Sequence, residues 1–298
     1  MSRKEGNKIL EYNGSESSFH QLLSDTFPSY FSSKGLINQG LINQTPTWID
    51  GGQISSSLSV PLSVPHGTTV LALRFQEGVI VAGDRRATEG YSIAERRIEK
   101  VHAVDETSVM AIAGAAGPCM EMIRLLRVEL EHYEKLEGLK LSMEGKASKL
   151  AGMIKANLPM AMQGLVVMPL FAGYDAKRQS CRIYKYDVAG GQYEEAEYYA
   201  IGSGGKDARG SMKKIFKKDL TREEAIGVAI EALYDAAEAD VATGGPDLIR
   251  GIFPTVKVIT KEGVSSLSDD ELKTKINQLI AQQPQVAGVI PPSSRQGG

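Results

Sequence analysis

The stretch His66-Gly67-Thr68-Thr69-Val70 separates a leading segment that is poor core material from a segment that begins at once with strands. Two apolar runs follow it, at 69–73 and 79–84, and a short connection containing a glycine joins them. Such a connection between two apolar runs is typical of a β-hairpin. We therefore predict that the folded body begins at Thr68, and that cleavage of the Gly67–Thr68 bond makes Thr68 a new N-terminus.

The composition argues against several classes of function. Of the 298 residues, 42% are hydrophobic and 23% are charged, which is ordinary for a protein with a large core. The net charge of −2 gives no global basic field for nucleic acid. Two cysteines supply neither a disulfide framework nor a four-ligand zinc site, so we expect a reducing, intracellular setting. No apolar run approaches the roughly 18 residues of a membrane span, and we expect no membrane partner.

Residues 1–67 have the composition of a leader. They are rich in Ser, Gly, Asn and Gln, and their apolar residues occur in short islands that cannot close a core. We expect this segment to be removed on maturation; the alternative is a tail without a role. The body then covers 68–283, and the proline- and glycine-containing residues 284–298 are predicted to form a flexible tail.

The order of predicted elements in the body indicates the fold class. The elements are strands 69–75, 78–83 and 108–113, helices 118–136 and 143–159, strands 165–174, 181–187 and 198–201, a helix from about 221 to 239, strands 252–260 and 263–267, and a helix ending near 282. Thr221 and Glu224 predict a capping box at the start of one helix. Clustered strands beside clustered helices differ from the regular alternation of a doubly wound sheet. The sequence predicts an α+β fold in which helix layers cover antiparallel sheets.

Thr68 is the first candidate for chemistry. A threonine hydroxyl is a weak nucleophile and needs a base. An N-terminal amine, with a pKa of about 7.7–8.0, is partly neutral near pH 7 and can accept the hydroxyl proton. In an uncut chain the same nitrogen is an amide, so cleavage before Thr68 would create the base. The alternative is a strand that merely begins with β-branched residues.

Asp84 and Lys100 are the next candidates. A buried ammonium near Thr68 would lower the cost of an alkoxide, and a carboxylate would hold that ammonium in place. The alternative is a solvated ion pair of little energetic value.

Three further features favour a site of backbone amides and hydroxyls. Gly114 follows a strand, where its amide could face a developing oxyanion or simply form a tight turn. Ser203 lies in a glycine-rich stretch that lacks the spacing of a phosphate loop. Asp240 and Thr243 stand three residues apart at a predicted helix end, where the alternative is a helix cap. The four histidines show no metal-binding spacing, so we expect no metal.

Taken together, these pieces resemble the β-subunit of the 20S proteasome, an N-terminal nucleophile hydrolase, and look most like its actinobacterial type. The resemblance covers about 68 to 267. The matching pieces are Gly67-Thr68-Thr69, the run 82–88 (Ala-Gly-Asp-Arg-Arg-Ala-Thr), Lys100, Ala113-Gly114, Gly202-Ser203-Gly204, and Asp240 with Thr243.

The resemblance implies a role for each of these residues. Thr68 would be the nucleophile and, through its amine, the base. Asp84 and Lys100 would tune and orient it, while Gly114 would supply the oxyanion amide. Support for the amine and a nearby water would come from Ser203, Asp240 and Thr243. Substrate backbone would pair with Thr88 and Ala116 as an added strand. An apolar S1 pocket would be lined by Ala87, Ile98, Ile112, Ala116 and Met120.

The resemblance also implies a fold, an assembly and a location. The fold would be a four-layer αββα sandwich. The subunits would form seven-membered β rings stacked between rings of α-subunits, as α7β7β7α7. An ATPase ring would act as activator, proteins would be the substrates, no cofactor would be needed, and the particle would be cytoplasmic. The leader would block Thr68, help assembly and be removed by the site itself.

Two alternatives remain at this point. A bacterial peptidase of the HslV type shares the Thr-Thr start but has a short leader and sixfold rings. A non-catalytic ring subunit would keep an unprocessed N-terminus.

Overall fold

Two five-stranded antiparallel sheets form the centre of the body. The computed structural model describes residues 67–89 and 92–282. The leader up to residue 66 and the predicted tail 284–298 lie outside these residues. The strands are β1 Thr69–Phe75, β2 Gly78–Gly83, β3 Ala87–Glu89, β4 Ser92–Glu95, β5 Val101–Ala103, β6 Ser108–Gly114, β7 Val167–Asp175, β8 Ser180–Tyr186, β9 Gln192–Glu195, β10 Tyr198–Gly202, β11 Thr255–Thr260 and β12 Gly263–Ser266. The helices are α1 Ala116–Glu137, α2 Met143–Ala156, α3 Leu158–Ala161, α4 Gly205–Ile215, α5 Arg222–Ala239 and α6 Asp269–Gln282.

Each sheet follows a simple antiparallel order. The first sheet runs β10-β1-β2-β11-β12, and the second runs β5-β6-β7-β8-β9. Strands β3 and β4 form a separate two-stranded ribbon. Because β1 lies between β2 and β10, the start of β1 faces the ends of both neighbours.

Alternation along β1 shows why this strand is apolar on both faces. Leu71 and Leu73 point into a core shared with α4 and α5, whereas Val70 and Ala72 point into a core between the two sheets. Successive strand residues face opposite sides of a sheet, so a sheet covered on both sides needs apolar residues at every position. This pattern shows that the first sheet is covered on both faces, by helices on one side and by the second sheet on the other.

Helices cover the outer face of each sheet. Leu126 of α1 and Leu150 of α2 share a core with Phe171 and Tyr184 of the second sheet. On the first sheet, α5 contributes Leu233 and neighbouring residues to its core. The layers are therefore helix, sheet, sheet and helix, and the predicted four-layer α+β sandwich is confirmed.

Some elements differ from the sequence prediction. Helix α4 was not predicted because its glycine-rich start has the composition of a loop. The short strands β3, β4, β5 and β9 also lacked a pattern long enough to recognise. The single helix predicted over 143–159 is divided at Asn157, and Pro159 lies in the first turn of α3. A proline in that turn costs no intrahelical bond, so it suits a helix start.

The capping box predicted for α5 is present. Thr221 Oγ1 accepts from the Glu224 N–H, and the Glu224 carboxylate accepts from the Thr221 N–H. Across 67–89 and 92–282, no helix is both long enough and apolar enough to cross a membrane.

Candidate active site

The antiparallel neighbours of β1 bring distant residues to Thr68 and Thr69. Thr69 pairs with Gly202 on β10, and Val70 pairs with Gly83 on β2. Just beyond these pairs, the Asp84 N–H donates to Thr69 O at 3.1 Å, and the Ser203 N–H donates to Thr68 O at 2.8 Å. The register thus places Asp84 and Ser203 on opposite sides of the start of β1.

Asp84 and Lys100 form a buried ion pair. Lys100 Nζ lies 2.7 Å from Asp84 Oδ1, and the side chains are 3% and 0% exposed. Three backbone amides also donate to this carboxylate: Thr69 to Oδ1 at 2.8 Å, and Arg86 and Gly244 to Oδ2 at 2.9 Å each. A buried charge is tolerated when it is paired and fully hydrogen-bonded. The pair is therefore not the solvated surface pair considered as the alternative.

The Lys100 ammonium also contacts the bond predicted to be cut. Nζ donates to Gly67 O at 2.9 Å and to Arg86 O at 2.5 Å. Burial lowers the pKa of Lys100 below its ordinary value, while the Asp84 charge opposes the shift. The side chain consequently directs a positive, poorly hydrated group at the Gly67 carbonyl.

Thr68 presents both of its polar groups to this arrangement. Its side chain is buried, and Oγ1 donates to Gly67 O at 2.5 Å. Its backbone nitrogen, an amide in the uncut chain, donates to Ser203 Oγ at 3.3 Å. The hydroxyl, the preceding carbonyl and the nitrogen are therefore within reach of one another and of their partners.

Asp240 organises a second cluster on the other side of Thr68. Its Oδ2 accepts from Ser203 Oγ at 2.5 Å and from Thr243 Oγ1 at 2.6 Å, and its Oδ1 accepts from the Ala242 N–H at 3.1 Å. Burial alone would raise the pKa of Asp240, but these hydrogen bonds outweigh it and the pKa is lowered. The cluster holds a carboxylate, with Ser203 between it and Thr68.

Arg86 links the two clusters, which the sequence did not indicate. Its guanidinium donates to Val241 O at 2.9 Å and to Thr243 O at 3.2 Å, while its backbone contacts Asp84 and Lys100. Arg86 adjoins Asp84 in the run 82–88, but no spacing rule predicts which loop a guanidinium will contact.

Gly114 borders a cavity beside Thr68. The cavity has a volume of ≈ 390 Å³. Its lining residues are Gly67, Thr68, Ala113, Gly114, Gly164, Val166, Met168, Gly202 and Ser203. Gly114 has φ +115°, and a Cβ there would lie 2.1 Å from Val166 O, so only glycine fits. The structure places Gly114 on the same cavity as Thr68, and its oxyanion role stays a prediction.

The predicted substrate-binding residues lie on several elements of the fold. Thr88 lies against Gly67, since a Cβ on Gly67 would be 2.5 Å from Thr88 Oγ1. The five residues predicted for the S1 pocket are not in the lining of the cavity beside Thr68. Ala87 is buried at the start of β3, and Ile98 lies two residues before Lys100. Ile112 lies in the core under α1, Met120 packs against that core, and Ala116 is the first residue of α1.

The arrangement is chemically suited to attack by a hydroxyl on a neighbouring carbonyl. In the part of the chain that the structure describes, no group of three or more His, Cys, Asp or Glu side chains is arranged to hold a metal ion. The groups that surround Thr68 are hydroxyls, backbone amides, one ammonium and two carboxylates.

Comparisons with known proteins give a consistent result. Residues 64–249 match the family described as proteasome subunit. The proteasome subunit beta of Acidimicrobium ferrooxidans is 53% identical over 251 residues, which cover 83% of this chain and 89% of the relative. That of Acidothermus cellulolyticus is 50% identical over 260 residues, covering 85% and 90%. That of Streptomyces griseus is 52% identical over 231 residues, covering 78% and 82%.

Proposed function

The chain belongs to the family of proteasome subunits, and from this premise we propose that cleavage of the Gly67–Thr68 bond makes Thr68 the N-terminal nucleophile. The resemblance to 20S proteasome β-subunits is confirmed by relatives of that name. The chain is a catalytic β-type subunit and its activity is that of a threonine endopeptidase. The observation that carries the proposal is the convergence of the Thr68 hydroxyl and the Lys100 ammonium on Gly67 O.

The same contacts support a route for the cleavage. Thr68 Oγ1 would attack the Gly67 carbonyl carbon, while Lys100 hydrogen-bonds the oxygen on which negative charge develops. Collapse would break the C–N bond, and the nitrogen would gain the proton that Oγ1 gives up and become an amine. The Gly67 acyl group would then be held as an ester on Oγ1. Water would hydrolyse this ester, release residues 1–67 and leave Thr68 with a free amine and a free hydroxyl.

In the mature site the new amine would act as the base. It would take the Oγ1 proton during attack on a substrate peptide, because its ordinary pKa of about 7.7–8.0 leaves part of it neutral near pH 7. Ser203 and Asp240, with Thr243 beside them, would hold the amine by hydrogen bonds. Asp84 would hold Lys100. The Gly114 amide would stabilise the oxyanion of the substrate.

Several wider features belong to the same proposal. Residues 68–283 would form the peptidase body and 284–298 a flexible tail. The subunits would form seven-membered rings with α-subunits on the outside, served by an ATPase ring in the cytoplasm. Electron micrographs of the assembled particle would show sevenfold symmetry, whereas sixfold symmetry would favour the HslV-type alternative.

Substrate choice would depend on the predicted S1 residues. All five of these residues are apolar: Ala87, Ile98, Ile112, Ala116 and Met120. The Met120 side chain is also flexible. Fluorogenic peptides ending in Tyr or Leu are therefore expected to be cut faster than those ending in Arg or Asp. The reverse order would contradict this part of the proposal.

Substitution of the nucleophile tests the proposed function. The full chain, co-expressed with its α-type partner, would carry either Thr68→Ala or the hydroxyl-retaining control Thr68→Ser. We expect Thr68→Ala to keep residues 1–67 by intact mass and to cut no peptide, whereas Thr68→Ser should lose residues 1–67 and cut peptides to a measurable extent. Full peptidase activity in Thr68→Ala would overturn the assignment.

A further inference from the structure

The side chain of Thr69 takes part in the site although the mechanism above does not use it. The residue is 0% exposed, and its Oγ1 lies 2.7 Å from Thr243 Oγ1. The same oxygen accepts from the Gly204 N–H at 3.0 Å. The backbone of Thr69 is already held by Asp84. The hydrogen bonds of the Thr69 hydroxyl are therefore separate from the backbone hydrogen bonds that hold β1 in place.

The direction of each hydrogen bond in this chain of hydroxyls is fixed by its two ends. Asp240 Oδ2 is a carboxylate oxygen and can only accept, so Thr243 Oγ1 gives its proton to it. Between the two threonine hydroxyls, Thr69 must then be the donor. Its oxygen is left to accept from the Gly204 amide. The bonds run one way, from Gly204 through Thr69 and Thr243 to Asp240.

We propose that Thr69 is a positioning residue, whose hydroxyl sets the places of Thr243 and of the Ser203–Gly204 backbone relative to the Thr68 nitrogen. The proposal rests on the proposed function, since it concerns the groups that would hold the Thr68 amine. Ser203 is the residue that contacts that nitrogen, and it adjoins the amide that Thr69 accepts from. Asp240, which Ser203 and Thr243 both contact, ends the same chain of bonds.

Loss of the hydroxyl would disturb both ends of this chain. The buried Gly204 N–H would lose its acceptor, and an unpaired buried donor carries a desolvation penalty. The Thr243 hydroxyl would no longer receive a hydrogen bond, and hydroxyls in a chain strengthen one another. Both changes allow Ser203 to shift, while the backbone bonds from Asp84 to Thr69 remain.

Two substitutions of Thr69 separate the effect of its hydroxyl from the effect of its side-chain shape. Thr69→Val keeps the volume and the β-branched form but removes the hydroxyl, and Thr69→Ser keeps the hydroxyl. Both would be made in the full chain co-expressed with its α-type partner. Rates would be expressed per chain that begins at Thr68 by intact mass, so that incomplete processing does not count as slow catalysis.

We expect Thr69→Val to lower kcat by about tenfold, because a displaced catalytic group commonly reduces the rate by one to two orders of magnitude. KM should stay within about twofold, since the buried side chain does not border the cavity beside Thr68. Thr69→Ser should restore kcat. Thr107→Val is a matched control, because its hydroxyl also makes two hydrogen bonds, to Asp105 and Lys146. Thr107 directly precedes β6, seven residues or about 23 Å from Gly114 at the far end of that strand, and loss of its hydroxyl should leave kcat unchanged.

Other results would overturn the proposal. These are an unchanged kcat in Thr69→Val, a Thr69→Ser variant as slow as Thr69→Val, or an equal loss in Thr107→Val. If Thr69→Val does not assemble, Thr69→Cys replaces it, because a thiol is close in size to the serine hydroxyl but a weak donor. A Thr69→Cys variant as fast as Thr69→Ser would then overturn the proposal. Active wild-type chains that do not begin at Thr68 would instead contradict the proposed function itself.

Discussion

At the scale of single residues, Gly67 of the predicted cleavage site is tightly packed. A Cβ on this residue would lie 2.5 Å from Thr88 Oγ1, 2.8 Å from Ala242 Cβ and 2.8 Å from Ala242 O. Backbone and β-carbon atoms cannot move aside as the end of a flexible side chain can. The position therefore has room for glycine alone, and the Gly67 carbonyl is held where Lys100 and Thr68 contact it.

Substitution of Gly67 should slow maturation. Overpacking of this kind commonly costs about 1–3 kcal/mol, and each 1.4 kcal/mol corresponds to about tenfold in rate if it falls on the reacting geometry. We expect Gly67→Ala to slow the appearance of chains beginning at Thr68 by about tenfold or more, followed by intact mass over time. Gly152→Ala, where an added Cβ meets nothing within 4 Å, should mature at the normal rate. Normal maturation of Gly67→Ala would show that this contact is not restrictive.

The buried ion pair gives a second prediction at this scale. Asp84→Asn would leave the Lys100 ammonium without its charge partner and should reduce the free energy of unfolding by about 3–5 kcal/mol, measured by urea denaturation. Burial lowers the pKa of Lys100, and in the wild type the Asp84 charge opposes that shift. Without this charge, the pKa of Lys100 should fall further. Glu131→Gln, which breaks the exposed pair with Lys135, should leave the urea midpoint unchanged.

The pH dependence of the Asp84→Asn variant follows from the same shift. With a folded pKa below the ordinary 10.5, the native chain loses the Lys100 proton before the unfolded chain does. Between those two pKa values the unfolded state binds more protons, so stability rises with pH. In Asp84→Asn the folded pKa of Lys100 is lower still, so the variant gains this stability at a lower pH than the wild type, and its deficit should shrink as the pH rises between the two folded pKa values. A deficit that grows over that range would contradict the buried-ammonium account.

At the scale of elements, helix α5 has a stabilising capping box at one end and the candidate-site residue Asp240 at the other. Its capping box at Thr221 begins an 18-residue helix, and Asp240 follows the last residue as the C-cap. The two ends are separated by about 27 Å, from a rise of 1.5 Å per residue. A change at the first end can therefore be tested for effects on the second.

Thr221→Ala should reduce the free energy of unfolding by about 1 kcal/mol, because the Glu224 N–H at the helix start loses the hydroxyl that accepts its hydrogen bond. It should leave kcat and KM unchanged, since Asp240 keeps its bonds to Ser203, Thr243 and Ala242. Thr221→Ser would serve as the cap-retaining control in the denaturation experiment. A loss of kcat in Thr221→Ala would mean that the helix end at Asp240 depends on the far cap.

The elements also show how far the sequence could be read. The β1–β2 hairpin was predictable because both strands are apolar runs joined at a glycine, and α5 was predictable from its cap. Helix α4 was hidden by its glycine-rich start, which has a loop-like composition. The Thr69 hydroxyl and the Arg86 guanidinium could not be found by pattern, because their partners are more than 130 residues away. The pairing of Asp240 with Ser203 came from the resemblance alone.

At the scale of the whole molecule, the candidate site draws on both sheets. Thr68, Asp84 and Ser203 flank strands of the first sheet, whereas Lys100 precedes β5 and Gly114 ends β6 in the second. The core between the sheets, which includes Val70, Val101 and Ala111, holds the two parts together. An antiparallel sandwich of this kind gathers strand ends at one edge, which explains why residues far apart in sequence meet there.

The central claim is that a free amine on Thr68 creates the active enzyme. The measurement that tests it most directly is the N-terminal residue of the chain in purified particles that cut peptides, by intact mass and N-terminal sequencing. The account predicts chains that begin at Thr68, with residues 1–67 released. Fully active particles whose chains still begin at Met1 would contradict it.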